Sequence, residues 1–314
     1  MAHERIDRSL VRTYPIRERT HKVRLGDLGR LAKPGSVSAL IDSMPRLLGA
    51  KALRGFIDAV VGAHAKRKPV LAAIGGHVVK CGCSPYLIEL MRRRVVTGVA
   101  MNGSTAIHDF ELALIGQTSE DVAATLEDGT FGMVEETGRL MNEALIEGAA
   151  QGLGAGRALG EAILKADLPH REVSILAAGI ELDVPVTVHI AIGTDTIHQH
   201  PKADGAALGE TSLKDFELLA ALVATLGDGG VYINIGSAVV LPEVFLKALA
   251  VARNLGSPVR NFTAANFDML RHYRPSTNVV QRPILAGGTG YDFAGHHEIM
   301  VPLVTAAILE RLGQ

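Results

Sequence analysis

Six of the twelve histidines, His77, His108, His198, His200, His296 and His297, fall in or just after short turns that close apolar runs. Imidazole changes charge near neutral pH, so histidines gathered in one place point to proton transfer or to metal binding. On a strand, His198-Gln199-His200 puts two imidazoles on one face, a metal pair that Asp195, Asp109 or His296 would complete. Hydrogen bonding inside a polar cleft accounts for the same residues without a metal. Asp195 and Asp204 flank the pair and Glu210 follows. The carboxylates of Asp109, Asp195 and Glu210 suit a cationic amine or the role of general base. Helix capping accounts for any one of them equally well, and Ser212 reads as such a cap.

Three small-residue turns come next. Gly75-Gly76-His77 directly follows the apolar run Val70–Ile74, Asn102-Gly103-Ser104-Thr105 follows Val95–Met101, and Gly236-Ser237-Ala238 follows Gly230–Ile235. Backbone N–H groups in such turns can hold a phosphate or carboxylate. Three of them at one sheet edge make a crevice fit for an extended nucleotide. Gly152-Leu153-Gly154-Ala155-Gly156 does not qualify, because it follows a helix and lacks the third glycine of a dinucleotide fingerprint. Ser237 lies in Ile-Gly-Ser-Ala, so it is not a hydrolase elbow, and no Walker lysine loop is present.

The elements that must carry these turns alternate. Further strands read over Ser174–Ala178, Pro185–Ile192, Val259–Ala264 and a short run near Tyr291. Ser84-Pro85 reads as the cap and first turn of a helix that ends on Arg92-Arg93-Arg94, where the helix dipole favours cations. Other helices read over Glu111–Ile115, Glu120–Leu126, Glu135–Ala149 and from Pro242 to near Gly256. Repeated strand, turn and helix predict an α/β fold: a mostly parallel sheet with helices on both faces. Ligands then sit at the carboxyl ends of the strands, near the point where strand order reverses.

Composition narrows the function. A formal net charge of −1 draws the chain to neither nucleic acid nor membrane, and 4% aromatic content without tryptophan gives no stacking platform for single strands. No apolar run approaches the length that spans a bilayer. Cys81 and Cys83, separated only by Gly82, predict reduced thiols and a cytoplasmic protein. Residues 1–35 are arginine-rich and polar and predict an N-terminal arm, either draped on a neighbouring subunit or simply solvated; residues 36–314 predict a single α/β domain.

The order of motifs resembles the deoxyhypusine synthase family. It is carried by Gly75-Gly76-His77-Val78-Val79-Lys80-Cys81-Gly82, then Arg94-Val95-Val96, then Met101-Asn102-Gly103 with His108-Asp109, then Gly236-Ser237-Ala238-Val239-Val240. The likeness covers roughly residues 70–310 and is one of order and pattern more than of identity. It implies a Rossmann-like NAD-binding fold, a polyamine substrate, and sites at the subunit interfaces of a homotetramer or dimer. It also implies a catalytic lysine, which would fall on Arg282 or Pro283, and neither forms an imine. Lys80 and Lys202 are the nearby lysines. Other family positions change as well: a histidine becomes Glu243, one acidic NAD contact becomes His108 beside a retained Asp109, and a late acid aligns with His296. Asp195 or Glu210 matches the substrate-binding acid.

These readings converge on an NAD-binding enzyme of redox or transfer chemistry on a small, amine-type substrate, unlike deoxyhypusine synthesis itself. Gly75, Gly76, His77, Asn102, Gly103, Asp109, Gly236 and Ser237 are the expected cofactor contacts. His108, Asp195, His200 and His296 are the expected acid–base groups. Two alternatives stay open: a divalent-metal hydrolase or lyase built on His198, His200, His296 and an aspartate, and a nucleotide-binding protein without catalysis.

Overall fold

In the computed structural model, which describes residues 12, 15, 27–30, 35–127 and 129–313, six strands form one sheet in the order β3-β2-β1-β4-β5-β6. They are β1 (Val70–Ile74), β2 (Gly98–Asn102), β3 (Val186–His189), β4 (Val231–Ile235), β5 (Phe262–Asp268) and β6 (Gly288–Ala294). All five pairings are parallel; Ile74, for example, lies beside Met101 on one side and Ile235 on the other. Parallel neighbours require crossover connections, which put helices on the faces. Those helices are α1 (Val37–Ser43), α2 (Leu48–Ala65), α3 (Gly76–Lys80), α4 (Ser84–Arg92), α5 (Gly103–Ile115), α6 (Val122–Leu126), α7 (Glu135–Ala150), α8 (Ala155–Lys165), α9 (Ile175–Glu181), α10 (Gly205–Ala224), α11 (Val240–Asn254) and α12 (His297–Arg311). The arm expected over residues 1–35 lies almost wholly outside the described residues.

The sheet separates two cores. Val70, Ala72 and Ile74 of β1 pack with Phe56 of α2, Leu87 of α4 and Val304 of α12. The alternate residues Leu71 and Ala73 face the other way, toward Leu219 of α10 and Phe245 and Leu249 of α11. Successive side chains of a strand point to opposite faces, so a strand buried on both sides reads as an unbroken apolar run. Strand order reverses between β1 and β4, and the turns after these two strands mark the switch point of the sheet.

Several sequence expectations shift. Ser174–Ala178 is not a strand. Ser174 caps α9 by accepting from the Ala177 N–H, and Ile175, Leu176 and Ala177 are buried around the whole helix. A short apolar run of this kind carries no periodicity that separates a buried helix from a strand. Val95 and Val96 are buried in the loop before β2 rather than in it. Ser84 is the first residue of α4, not its cap; Cys83 holds that position without a side-chain hydrogen bond. Ser212 lies inside α10, whose cap is Asp204, and its hydroxyl accepts from the Ile190 N–H just past β3. The Gly152–Gly156 segment joins α7 to α8 as expected. The buried Asp215 carboxylate fastens it to the sheet by accepting from the N–H groups of Gly156 at 2.8 Å and Val188 at 2.6 Å.

His189 closes β3 in a nearly water-free place, 3% exposed, with Nε2 3.0 Å from the Thr187 hydroxyl. Burial pushes its imidazole down to about 4. The fold therefore resists its protonation while the unfolded chain does not. This contribution to stability is whole above the ordinary histidine value and is lost as pH falls toward 4, on the order of 2–3 kcal/mol. Urea unfolding of His189→Leu and wild type at neutral and acid pH checks this. The gap between the two proteins is expected to narrow by that amount on acidification.

Candidate active site

The carboxyl ends of the strands carry the chemistry. At the switch point the turns after β1 and β4 touch: a Cβ on Gly75 would collide with the Gly236 carbonyl oxygen, and the Gly75 N–H donates to the Ile235 carbonyl. Gly236 is left-handed, with φ 65°, and a side chain there would also press on the His297 ring. Glycine is therefore required at Gly75 by close approach alone, and at Gly236 by close approach and conformation together. Gly76 opens α3 against Ser104 and His108. His77 is exposed beside it, its ring 5.8 Å from that of buried His297. Ser237 is buried and its hydroxyl accepts from the Leu241 N–H at the start of α11.

Next to this point, over β1, β2 and β3, lies a cavity of about 700 Å³. Its walls come from α3 through Lys80, from α5 through Ser104, His108 and Glu111, from α7 through Glu136 and Thr137, and from the turn Thr194–Thr196. Gln117 to Glu120, Val122 of α6, Phe131 and Val134 line one side. No residue of α6 is buried. Four carboxyl groups in these walls (Glu111, Glu120, Glu136 and Asp195) face one ammonium, that of Lys80.

Two proton-handling groups stand out in the cavity. Asp195 is 7% exposed and sits against the N-terminus of α5, where it accepts from the Ser104 N–H. A Cβ on Gly103 would collide with its carboxylate, so glycine there makes the approach possible. Burial pushes the carboxyl up to about 6, against the pull of its hydrogen bonds, and Oδ2 has no partner. His108 is pushed the other way, down to about 4, by burial and by Lys80 and His77. Its Nδ1 lies 2.7 Å from the Thr118 hydroxyl, which donates to Glu111 at 2.5 Å. Thr118 spends its proton on Glu111, so His108 must carry hydrogen on Nδ1, leaving the lone pair on Nε2. Thr137 donates to the other oxygen of Glu111 at 3.0 Å and completes the chain. A neutral imidazole acceptor and a carboxyl group poised near the working pH are together suited to moving a proton to and from a bound substrate.

The remaining expected site residues go elsewhere. Asn102 caps α5, its side chain accepting from the Thr105 N–H at 2.9 Å. Asp109 is fully buried and accepts from the Ser174 hydroxyl and the N–H groups of Ile175 and Leu176. Its oxygens are taken up at the N-terminus of α9 and not in the cavity. His200 packs on α7, with Nε2 3.2 Å from Glu135 and Nδ1 accepting from the Lys202 N–H. His296 is exposed at the start of α12, 3.7 Å from Glu298. His198 and His200 do not share a strand face. They lie on and just after a 3₁₀ turn, Thr196–Gln199, and diverge. Among the described residues no three His, Cys, Asp or Glu side chains are grouped as metal ligands, so the metal reading loses its donor set. The stretch where the family lysine would fall is structural: Arg282 donates to Asn278, Asn278 donates to Glu243, and Pro283 is buried. Lys202 is exposed near Glu143, whereas Lys80 lines the cavity.

Glu111, Thr118 and Glu136 were not foreseen. Glu111 had a signal, since it lies three residues after His108 and shares its helix face.

No family model matches this chain, and no curated protein matches it. Solved structures do. A protein of Methanococcus maripaludis S2 provisionally assigned as LOR/SDH is 14% identical, with a TM-score of 0.51 over 93% of this chain and 74% of that one. AgrE, solved with ornithine and NAD+, is 11% identical with a TM-score of 0.53; the match takes 86% of this chain but only 34% of AgrE. A protein of Entamoeba histolytica provisionally assigned as a deoxyhypusine synthase is 8% identical with a TM-score of 0.51, over 87% of this chain and 93% of that one. At such identities the likeness is one of fold: an α/β, Rossmann-like parallel sheet of the kind these enzymes carry.

Proposed function

We propose that the chain is an NAD-dependent enzyme of redox or transfer chemistry on a small cationic amine. The observation that carries this is the acid-lined cavity beside the switch point, with Asp195 buried in its wall and one carboxylate oxygen unpartnered. Four carboxyl groups against one lysine favour a positively charged guest, because opposite charges in a partly desolvated cleft attract strongly. Support for a dinucleotide comes from two sources. The turns at Gly75–Gly76 and Gly236–Ser237 meet at the switch point, where nucleotides bind in sheets of this order. AgrE, of like fold, was solved with ornithine and NAD+.

The nucleotide would rest on those two turns, with His77 and His297 at its rim. It is not placed at the N-terminus of α5, because Asp195 already fills that anion position. When bound, NAD would supply a hydride acceptor. The chain's own part is to hold the amine by the carboxylates and to exchange a proton through Asp195, with His108 accepting a hydrogen bond through Nε2. Imine catalysis by a lysine in the Arg274–Pro283 stretch is excluded by the residues there.

Thermal melting tests the assignment. A ligand that binds only the folded chain adds about 2.7 kcal/mol of stability at one hundred times its dissociation constant. NAD+ and a diamine are each expected to raise the melting temperature, and an anionic analogue of the same size is not. No shift with any nicotinamide nucleotide, or a larger shift with the anion, would remove the proposal.

A further inference from the structure

Asp195 and His198 are joined by the geometry of the turn between β3 and α10. Asp195 stands at the head of the 3₁₀ turn Thr196–Gln199, and in such a helix side chains three residues apart stack above one another. His198 Nε2 accordingly lies 3.8 Å from Asp195 Oδ2, with the side chains 6% and 5% exposed. Both atoms are buried and neither has another hydrogen-bond partner. The tautomer is fixed from the far side of the ring: His198 Nδ1 is 3.0 Å from the Gly193 N–H and accepts from it. A neutral imidazole that accepts at Nδ1 carries its hydrogen on Nε2. That N–H is the group across from the unpartnered carboxylate oxygen. The turn is held in place by Asn142 of α7, whose amide donates to the Ile197 carbonyl at 2.9 Å.

We propose that His198 is the positioning residue of Asp195, its Nε2–H standing ready as the donor that closes on the carboxylate when Asp195 ionises. A shift of about 1 Å turns 3.8 Å into a charge-assisted hydrogen bond. Such a bond favours the ionised carboxylate and opposes the desolvation that favours the protonated form. Asp195 thereby gains two accessible states inside one fold, and a cation entering the cavity selects the ionised one. The other titratable groups that face the pair are Lys80 of α3, His108 and Glu111 of α5, Glu120 before α6 and Glu136 of α7. His200, paired with Glu135, lies behind the turn. None of these offers a donor to Oδ2. The proposal rests on the reading of Asp195 as the proton-handling group of the cavity.

The test needs neither substrate nor cofactor. Isotope-edited NMR follows the Asp195 carboxyl carbon through a pH titration in wild type, His198→Gln and His198→Leu. Glutamine keeps an N–H near the Nε2 place, and leucine removes it. In His198→Leu the Asp195 midpoint is expected to rise by about one unit, and in His198→Gln by less than about half of that. Nitrogen shifts of His198 in wild type, which depend on no variant folding, are expected to show hydrogen on Nε2 and none on Nδ1. An unmoved midpoint in the leucine variant, or hydrogen on Nδ1, overturns the proposal. If instead the cavity reading is at fault, diamine and NAD+ melting shifts are absent while this titration still behaves as stated.

Discussion

Replacing Asp195 with asparagine is expected to lower turnover about 10²- to 10⁴-fold, the usual worth of a positioned proton-transfer group, and to raise stability at alkaline pH. The two effects have one origin. Burial holds the carboxyl up at about 6, so the folded chain bears a cost for ionising it that the unfolded chain does not. With the folded value above the unfolded one, wild type loses stability as pH climbs from about 4 to about 6 and stays at that reduced level beyond. Asparagine never ionises and escapes the loss. The new side-chain amide would partly face the Nε2–H of His198 with a donor of its own, which takes some of the gain back. The net expectation is on the order of 1–2 kcal/mol of added stability near pH 8 and none near pH 4. Denaturant unfolding at the two pH values reads the stability. Absorbance of reduced nicotinamide with a diamine substrate reads the turnover. A variant that is less stable near pH 8 and turns over normally would make Asp195 a structural carboxylate.

How much of this was legible in the sequence depends on the range over which each feature is decided. β1, β2 and β4 could be read because a parallel strand buried on both faces is a short apolar run closed by a small-residue turn. The same rule misplaced Ser174–Ala178, where the deciding contact is a carboxylate 65 residues earlier in the chain. At the site, His108 and Asp195 were legible because chemistry in such folds collects just after strands. Strand spacing pairs His200 with His198, yet the segment winds as a 3₁₀ turn, and a period of three brings His198 to Asp195 instead. Glu111 and Thr118 escaped because their value lies in the hydrogen on His108 that they fix, which only the folded arrangement reveals. The resemblance to the deoxyhypusine synthase family pointed to a sheet of the right kind. The residues where the family lysine would fall hold one another and line no part of the cavity.

Asp109 separates the two kinds of acid that a sequence cannot tell apart. It precedes no ligand surface. It is 0% exposed, and its oxygens accept from the Ser174 hydroxyl at 2.5 Å, the Ile175 N–H at 2.8 Å and the Leu176 N–H at 3.1 Å. Two of those donors are backbone groups in the first turn of α9, which have no partner within the helix. Removing the carboxylate strands all three in a core that water does not reach. Each buried donor left unpaired costs about 1–3 kcal/mol, and the losses in one network are not simply additive. Asp109→Ala is therefore expected to cost about 3–5 kcal/mol, enough to threaten folding, since α9 buries Ile175, Leu176 and Ala177 against the rest of the chain. Asp109→Asn keeps one good acceptor and should cost less. Denaturant unfolding of the asparagine variant, paired with NAD+ melting shifts, decides between the two roles. A cofactor contact would weaken NAD+ binding and leave unfolding near wild type. The α9 cap weakens the fold and leaves the NAD+ shift of the folded fraction as it was, and that is the expected result.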